Sequence, residues 1–560
     1  MIGADILLKS LIKEKVNTIF GYPGGATIPF HDRIKHYPIK HILPRNEQGG
    51  AMAADAYFRV TGKVGVCMGT SGPGATNLIT GIANAYMDSV GMVAITCQVA
   101  SPLVGTDAFQ EVDITGITQP IVKHNYFVDK TEDIPQVIKE AFFLASTGRP
   151  RPVHIDITTD ALKNPVKKFS YPKKVNIPGY KLATGTTNQD IDKAIKLIKT
   201  SSRPIIIAGH GAVISRSGSA LKKFIEKTNI PLLTTLLGIG VVPETHKLNF
   251  GMLGMHGMAW ANFATSNADL IISLGSRFDD RITGKLSEFA NDANIIHVDI
   301  DRAELNKNTK ANLAVNDDIL NFLTKLNKKI NHKKSNTWIE KIQAWREKYN
   351  LPEVIKASRT KKCTKLRPQE IIAEIDKQTK GQATIISDVG QNQMWSAQHY
   401  KYLRPENLLS SGGLGTMGYS LPASIGAQIG NPRANVWAIM GDGGFQMNMQ
   451  ELGTIMEHKL PIKIIILNNG FLGMVRQWQE LFYDKNYAAT PMANPDFPQI
   501  AKAYNIESHR ITKWSDAQNK IAHAHNSRKS IFLEFIIGSE DKVLPMMPPG
   551  GNLKDTFVKI

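Results

Sequence analysis

The stretch that most constrains this chain is residues 436–478, VWAIMGDGGFQMNMQELGTIMEHKLPIKIIILNNGFLGMVRQW. It reads strand, acidic turn, helix, strand, polar turn, helix. Val436 to Met440 is a short apolar run that stops at Gly441-Asp442-Gly443-Gly444. Met447 to His458 suits a helix. Ile462 to Leu467 is an unbroken, β-branched run, as a parallel strand buried on both faces requires, and it stops at Asn468-Asn469-Gly470. Two parallel strands joined by a crossover helix put Asp442 and Asn469, 27 residues apart, on the same carboxyl edge of one sheet. Open α/β sheets bind their ligands at that edge.

A carboxylate and a carboxamide there are hard oxygen donors. They suit Mg²⁺, which takes few protein oxygens and completes its octahedron with phosphate oxygens and water. The glycines Gly441, Gly443 and Gly444 let a diphosphate approach the main chain, and the following helix offers it free N–H groups. The stretch therefore reads as a Mg²⁺-diphosphate site.

This pairing resembles the GDG…NN motif of thiamine diphosphate enzymes. The resemblance implies Mg²⁺ ligands at Asp442, Asn469 and the main-chain carbonyl of Phe471. Gly473 to Gln479, GMVRQWQ, narrows it: the segment resembles the substrate pocket of the acetohydroxyacid (acetolactate) synthase family, with Met474 toward the cofactor and Trp478 toward the substrate.

At 560 residues the chain exceeds one core, and length alone suggests roughly 3–4 domains. Hydrophobic content of 42% and charged content of 21% are those of a globular protein. The net charge of +18 comes from dispersed lysines, with short pairs such as Lys222-Lys223 and Lys361-Lys362 and no aromatic-basic repeat. That pattern argues against nucleic acid as a partner. Cys67, Cys97 and Cys363 lack metal-ligand spacing, and the first two lie in apolar runs, as buried thiols of a reducing compartment do. No apolar run is long enough to span a bilayer. The N-terminus places Ala4, Leu7, Leu8, Leu11, Ile12 and Val16 on one helical face, which is folded-domain character rather than a leader. The expectation is a cytoplasmic protein without membrane partners.

The first domain, residues 1–165, alternates helix and strand, with strands at Thr18–Gly21, Val64–Met68, Met92–Val99 and Val153–Ile157. Its turns carry Gly25 in GYPGGA, and Pro73 and Asn77 in TSGPGATN, a loop that follows a strand and opens a helix as anion-binding loops do. Glu47 precedes a helix of small residues, Gly49 to Tyr57; by spacing alone it matches a helix dipole. The resemblance gives it more: a carboxylate that hydrogen-bonds the aminopyrimidine of thiamine diphosphate. It also places Phe109 and Gln110, in GTDAFQE, on the substrate side, and Arg149 against FAD. Asn46, where His is usual, Arg151 and Thr159 depart from the family pattern.

Residues 166–185 read as a linker of prolines, glycines and polar residues. The second domain, 186–330, has strands at Pro204–Ala208, Leu270–Leu274 and Ile295–Ile300. They end in Gly209-His210-Gly211, in Gly275-Ser276-Arg277-Phe278-Asp279 and in Asp299-Ile300-Asp301. Glycine turns with an acidic strand end are ingredients of a dinucleotide site, though GxGxxG is missing. GMLGMHG, with Met255 and His256, and RFDDRITG, with Arg277, Asp279 and Arg281, resemble the FAD-contacting segments of the family. Residues 331–365 are Lys-rich and read as a surface helix and linker.

The third domain, 366–535, opens with strand Ala383–Ser387, followed by Val389, Gly390, Gln391 and Asn392; the family commonly has His at Asn392. Gly415 and Met417 follow, and Met417 matches the family's large apolar residue beneath the cofactor. Residues 536–560 look like a closing tail. The whole implies a three-domain α/β fold of doubly wound parallel sheets.

The activity implied is decarboxylation of pyruvate and ligation of its two-carbon unit to a second pyruvate or to 2-oxobutyrate, with thiamine diphosphate as electron sink. In that scheme Glu47 and Met417 ready the cofactor, Arg281 takes the acceptor carboxylate and Trp478 its extra methylene. The resemblance further implies active sites shared across a homodimer, with tetramers possible, and a small regulatory subunit. The alternatives are a flavin-dependent pyruvate oxidase or decarboxylase, and a non-catalytic paralogue.

Overall fold

A computed structural model describes residues 1–350 and 366–559, so Cys363 and the Lys361-Lys362 pair lie outside the described residues. The strands are β1 Thr18–Gly21, β2 Lys40–Ile42, β3 Gly65–Gly69, β4 Met92–Gln98, β5 His124–Val128 and β6 Val153–Thr158; β7 Pro204–Ala208, β8 Leu232–Thr234, β9 Asn249–Met252, β10 Leu270–Leu274, β11 Asn294–Asp299 and β12 Leu313–Asn316; and β13 Thr384–Ser387, β14 Leu408–Leu409, β15 Val436–Gly441, β16 Lys463–Asn468, β17 Glu507–Ile511 and β18 Ile531–Ile536. They form three six-stranded sheets. All named pairings are parallel. The fold is the doubly wound α/β class expected.

Strand order explains where ligands can go. The first sheet runs β2-β1-β3-β4-β6-β5 and the third runs β14-β13-β15-β16-β18-β17. Counted from its own first strand, each has the same order. The middle sheet, β12-β11-β10-β7-β8-β9, read from its other edge, is the 3-2-1-4-5-6 order of dinucleotide-binding folds. Winding reverses between β1 and β3, between β7 and β10, and between β13 and β15. Each reversal leaves a crevice beyond the carboxyl ends of two strands.

The central strands were legible because they are buried on both faces, β7, β10 and β13 along their whole length. The edge strands β5 and β17 escaped because they are only partly buried: His124 and Phe127 of β5 and Glu507 and Arg510 of β17 are exposed. The helix expected over Met447–His458 is corrected: it starts at Asp442, runs to Asn448, tightens into a 3-10 turn at Met449–Glu451 and resumes at Leu452–Glu457. The helix expected to follow Glu47 begins with it, at Glu47–Thr61.

That helix packs on helix Ser420–Gly430 of the third sheet's layer. A Cβ at Gly426 would stand 1.8 Å from the carbonyl oxygen of Ala53, so only glycine permits the approach. The hydrophobic core here is continuous from Phe20, Met52 and Ala56 to Ile425, Phe445 and Ile464. Helix Thr337–Lys348, expected at the surface, buries Trp338 and Ile342 against the middle sheet's layer. The tail packs Leu544 and Met546 on Trp478 and Leu481, and Met547 on the middle layer. Among the described residues no helix is long and apolar enough to cross a membrane.

Candidate active site

The third sheet's crevice is a tight pocket of about 40 Å³. Val389, Gln391, Asn392, Met417, Gly441, Asp442, Gly443, Gly444, Asn469 and Phe471 line it, so the residues of the opening motif meet residues far from them in sequence. Asp442 heads a helix, with its carboxylate among that helix's free N–H groups. Its Oδ2 accepts the Gly470 N–H at 3.0 Å and the Asn494 side-chain N–H at 2.6 Å. Burial is the largest influence on this carboxyl and holds its pKa above the usual range. Asn469 donates from Nδ2 to Gln391 Oε1 at 3.3 Å, and its Oδ1 accepts the Phe471 N–H at 3.0 Å. The Met417 methyl would lie 3.5 Å from a Cβ at Gly443, which fixes it at the pocket wall. Asn392 donates to the Val389 carbonyl at 3.1 Å, and its buried Oδ1 has no partner among the described residues.

The middle sheet's crevice is a cavity of about 970 Å³ that reaches all three layers. Arg149 enters it from the first; His210, Gly211, Met255, His256, Gly275, Arg277, Asp279, Arg281, Asp299 and Ile300 from the middle; and Gly390, Gly415, Met474 and Trp478 from the third. Val389 lines both this cavity and the tight pocket. Gly209 is not itself in the lining but packs behind Gly275, which is: a Cβ there would stand 2.2 Å from the Gly275 carbonyl oxygen. Arg149 is held by Ser89, Asp301 and Glu304 at 2.8, 3.1 and 2.7 Å. Burial pushes the Asp299 carboxyl up to about 6 and the His256 imidazole down to about 4. Among the described residues, buried His256 Nδ1 and Asp279 Oδ1 have no hydrogen-bond partner. Arg281 is 58% exposed at the mouth and reaches the Met255 sulfur at 3.0 Å.

Gly25, Glu47, Pro73, Asn77 and Gln110 form a third group, at the first sheet's crevice, and line neither cavity. Glu47 is buried, and its Oε2 accepts from Asn77 Nδ2 at 3.0 Å. The Ala26 N–H reaches Thr70 at 3.2 Å, drawing the Gly25 turn to the loop that carries Pro73. A Cβ at Gly72 would stand 2.8 Å from the Gln110 carbonyl oxygen, so Gln110 packs on the same loop. Beside it Phe109 is 88% exposed. Thr159 hydrogen-bonds the Gln98 carbonyl at 2.7 Å, at the root of that loop.

Several site residues were missed from sequence. Asp388, fully buried and pushed up to about 6 by that burial, accepts the N–H groups of Val389, Gly418 and Ser420 and so ties the turn after β13 to the one below Met417. Asn494 bridges Asp442 and Asn468. Asp88 takes the N–H groups of Gly412 and Gly413 and pairs with Arg59 at 2.8 Å, while His210 reaches its carbonyl at 2.7 Å. A buried ion pair thus meets all three layers below the Met417 turn. Asp388 directly precedes the Val389 segment, a signal that was available; Asn494 and Asp88 had none, since their partners lie far away in sequence.

Whether the groups implied by sequence fit can be tested on these contacts. Among the described residues no three His, Cys, Asp or Glu side chains gather to hold a metal. The oxygen groups at the tight pocket are of another kind: the Asp442 carboxylate and the Asn469 carboxamide, beside Phe471, with glycine on both sides of Asp442. Mg²⁺ carrying diphosphate oxygens fits them. The wide cavity fits a dinucleotide such as FAD by strand order, by length across three layers and by its unpartnered His256 and Asp279 atoms. Glu47 with Asn77 fits a polar heterocycle.

Comparison with known proteins agrees with this geometry. Residues 1–117, 191–326 and 388–535 match the N-terminal TPP binding, central and C-terminal TPP binding domain models of thiamine pyrophosphate enzymes. The chain is 45% identical to a probable acetolactate synthase large subunit of Methanococcus aeolicus, over 99% of this chain and 94% of that one. It is 46% identical to the acetolactate synthase large subunit of Pyropia yezoensis, over 98% and 94%. It is 44% identical to the chloroplastic acetolactate synthase 1 of Oryza sativa subsp. japonica, over 99% and 88%.

Proposed function

Because the chain belongs to the acetolactate synthase large-subunit family of thiamine pyrophosphate enzymes, we propose that it decarboxylates pyruvate and ligates the resulting two-carbon unit to a second pyruvate or to 2-oxobutyrate. That is the chemistry of the first common step toward branched-chain amino acids. The observation that carries this reading is the helix Gly473–Phe482. It starts at the tight pocket, where Gly473 stands beside Asn469, and its first and second turns bring Met474 and Trp478 in turn to the wall of the wide cavity.

Thiamine diphosphate, when bound, supplies the electron sink for decarboxylation. Asp442, Asn469 and the Phe471 carbonyl would hold Mg²⁺ with the diphosphate, and Gly390, Gln391 and Gly443 would line the approach. Glu47 holds a proton at the aminopyrimidine edge. Met417 supports the cofactor from the pocket wall, which is catalysis by orientation. Arg281, at the cavity mouth, presents a planar fork to the acceptor carboxylate, and Gln110 faces the same substrate. Trp478 covers the acceptor's alkyl end. Arg149, Arg277, Asp299 and Ile300 would hold FAD in the wide cavity. Residues 1–165, 186–330 and 366–535 are then the pyrimidine, FAD and diphosphate domains, and 536–560 the closing tail.

Glu47 and Asp442 serve different sites in this reading. The exposed Phe109 loop and the first-domain crevice face outward, which supports a homodimer, or a dimer of dimers, in which each site draws on both subunits. A small regulatory subunit completes the assembly. The free, buried thiols Cys67 and Cys97 suit a reducing cytoplasm.

The test is turnover of purified protein with pyruvate, thiamine diphosphate, Mg²⁺ and FAD, scoring acetolactate beside oxygen uptake. Acetolactate without oxygen consumption is expected. Oxygen uptake in step with pyruvate loss would make it an oxidase, and no turnover a non-catalytic paralogue.

A further inference from the structure

Glu47 and Asp442 are joined, within one chain, by a carboxylate that the proposed chemistry leaves unused. Glu451 ends the helical segment that Asp442 begins, and it is 0% exposed. Its Oε1 accepts the main-chain N–H of Arg45 at 2.9 Å and of Asn46 at 3.1 Å. Those are the two residues immediately before Glu47. Asn46 is the N-cap of the Glu47 helix, and its side chain covers the Gln48 N–H at 2.9 Å. Asn46 therefore caps the helix from within and Glu451 caps it from the neighbouring layer. Gly49 makes the room: a Cβ there would stand 2.5 Å from Glu451 Oε1.

The contact is made through the main chain rather than through a cation. The Arg45 guanidinium turns away to Glu457 at 2.7 Å and to the Leu43 carbonyl at 3.0 Å. On the other side, the Thr454 hydroxyl lies 3.0 Å from both Glu451 Oε2 and the Leu43 carbonyl. One hydroxyl has one proton to donate. Both contacts are satisfied together when Glu451 is protonated and donates to Thr454, which donates to Leu43. Burial, the main influence on this carboxyl, pushes it up to about 7, in keeping with that arrangement.

We propose that Glu451 is a positioning residue: by clamping the Arg45-Asn46 main chain to the far end of the Asp442 helix, it fixes where the Glu47 carboxylate stands. This rests on the reading of Glu47 as the carboxylate that activates the cofactor. The segment from Asp442 to Glu451 rises about 14 Å at 1.5 Å per residue. Glu451 therefore acts on the Glu47 step and not on metal binding at Asp442 of the same helix.

The experiment uses the assembled protein loaded with thiamine diphosphate and Mg²⁺. Hydrogen–deuterium exchange at the cofactor C2 reports the Glu47 step, and equilibrium dialysis reports cofactor Kd. Glu451→Ala should slow exchange by about tenfold to on the order of 100-fold, the cost of a misplaced catalytic group. Cofactor Kd should stay within about twofold, as for a distant, independent site. Glu451→Gln should restore most of the rate, because its carboxamide oxygen accepts the same two N–H groups and its NH₂ donates to Thr454 as the protonated acid does. If Glu451→Ala does not fold, Glu451→Asp, which withdraws the carboxyl by one methylene, carries the expectation of slowed exchange.

Unchanged exchange in Glu451→Ala would overturn the proposal. So would a Gln variant as slow as the Ala variant, or a Kd that weakens in step with exchange. Glu47→Gln separates the two layers of argument. If it exchanges at the native rate, the reading of Glu47 itself falls, and the positioning role with it. If it is slow while Glu451→Ala is not, only the positioning role falls.

Discussion

The crevices of the third and middle sheets arise from the same event, a reversal of strand order, yet they differ in volume and in reach. The third-sheet pocket is about 40 Å³, and most of its polar atoms are paired with one another: Asp442 with Gly470 and Asn494, Asn469 with Gln391 and Phe471. The middle-sheet cavity is about 970 Å³, draws its walls from all three layers and keeps unpartnered buried atoms on His256 and Asp279. A compact metal-diphosphate head is gripped by a few short side chains at close range. A dinucleotide is laid along a trough by many weaker contacts. One change in the first should therefore be decisive, and one change in the second graded.

Asp442→Ala is the strongest way to break that contrast. It removes the carboxylate proposed for the metal and takes from the Gly470 and Asn494 donors one of two acceptors, leaving each the Asn468 Oδ1. Mg²⁺-dependent retention of thiamine diphosphate should fall by more than about 100-fold, since even outer-shell partners of a metal are worth about 10–100-fold. Flavin retention, read by absorbance after gel filtration, should be unchanged. Loss of both together would show that the crevices are not independent. Gly209→Ala is the converse. Its Cβ would meet the Gly275 carbonyl oxygen, a main-chain atom that cannot swing aside. Overpacking of this kind costs about 1–3 kcal/mol. By displacing Gly275, which lines the cavity, it should weaken flavin retention while cofactor retention at Asp442 persists; unaltered flavin retention would mean that the Gly275 turn plays no part in holding it.

The same contrast decided what could be read in the sequence. The tight crevice is built from two local segments, so Asp442 and Asn469 announced themselves by type, spacing and the buried strands before them. Its supports did not: Asn494 reaches Asp442 across 52 residues, and Glu451 reaches Asn46 across 405. Glu47 read as a helix-dipole residue by its own chemistry, and only resemblance raised it further. The helix start at Asp442 was placed too late because Gly443 and Gly444 are poor helix formers. Here tertiary contact overrides propensity: a Cβ at Gly444 would stand 2.7 Å from the Asp388 carboxylate. In the wide crevice the motifs were diffuse, and the strand order that marks it as dinucleotide-binding exists only once β8, β9 and β12 are paired. Strand β18 was hidden by Glu534, whose burial depends on Arg510 at 2.6 Å and Asn468 at 2.7 Å.

Burial pushes a carboxyl up to about 6 beside each crevice, Asp388 behind the wall of the tight one and Asp299 in the lining of the wide one, against an ordinary 3.8. The native chain therefore keeps these protons over a pH range in which the unfolded chain has lost them. Their contribution to stability is complete below about pH 3.8 and is lost as pH rises through about 6. Asp299→Asn tests the wide side. Its amide oxygen can still accept the Asp301 N–H, now 2.8 Å away, but it cannot ionise. Relative to native protein, the variant should gain on the order of 1–2 kcal/mol in unfolding free energy between pH 4 and pH 7, measured by urea titration. A constant difference across that range would mean that Asp299 ionises freely in the folded chain.

Trp478 stands where the two crevices meet, and its substitution should have the smallest effect and the most selective one. Its helix begins at the tight pocket, and the half-buried indole lies on the wall of the wide cavity, 5.6 Å from the Phe482 ring and against Leu544 and Met546 of the tail. A plain packing role would predict equal loss of every product, because a displaced helix disturbs both crevices. A role in acceptor choice predicts something narrower. Burying one methylene is worth about 0.8 kcal/mol, and a pocket extracts about 1–3 kcal/mol from it at most. Trp478→Leu keeps an apolar side chain against the tail but withdraws the flat surface that can cover the extra carbon of 2-oxobutyrate. Acetolactate formation from pyruvate alone should then stay largely intact, while preference for 2-oxobutyrate falls about tenfold, within that range. A competition assay with both keto acids, quantifying both products, decides it. An unchanged ratio, or parallel loss of both products with a lowered Tm, would assign the indole to packing between helix and tail and leave acceptor choice to other residues of the wide cavity.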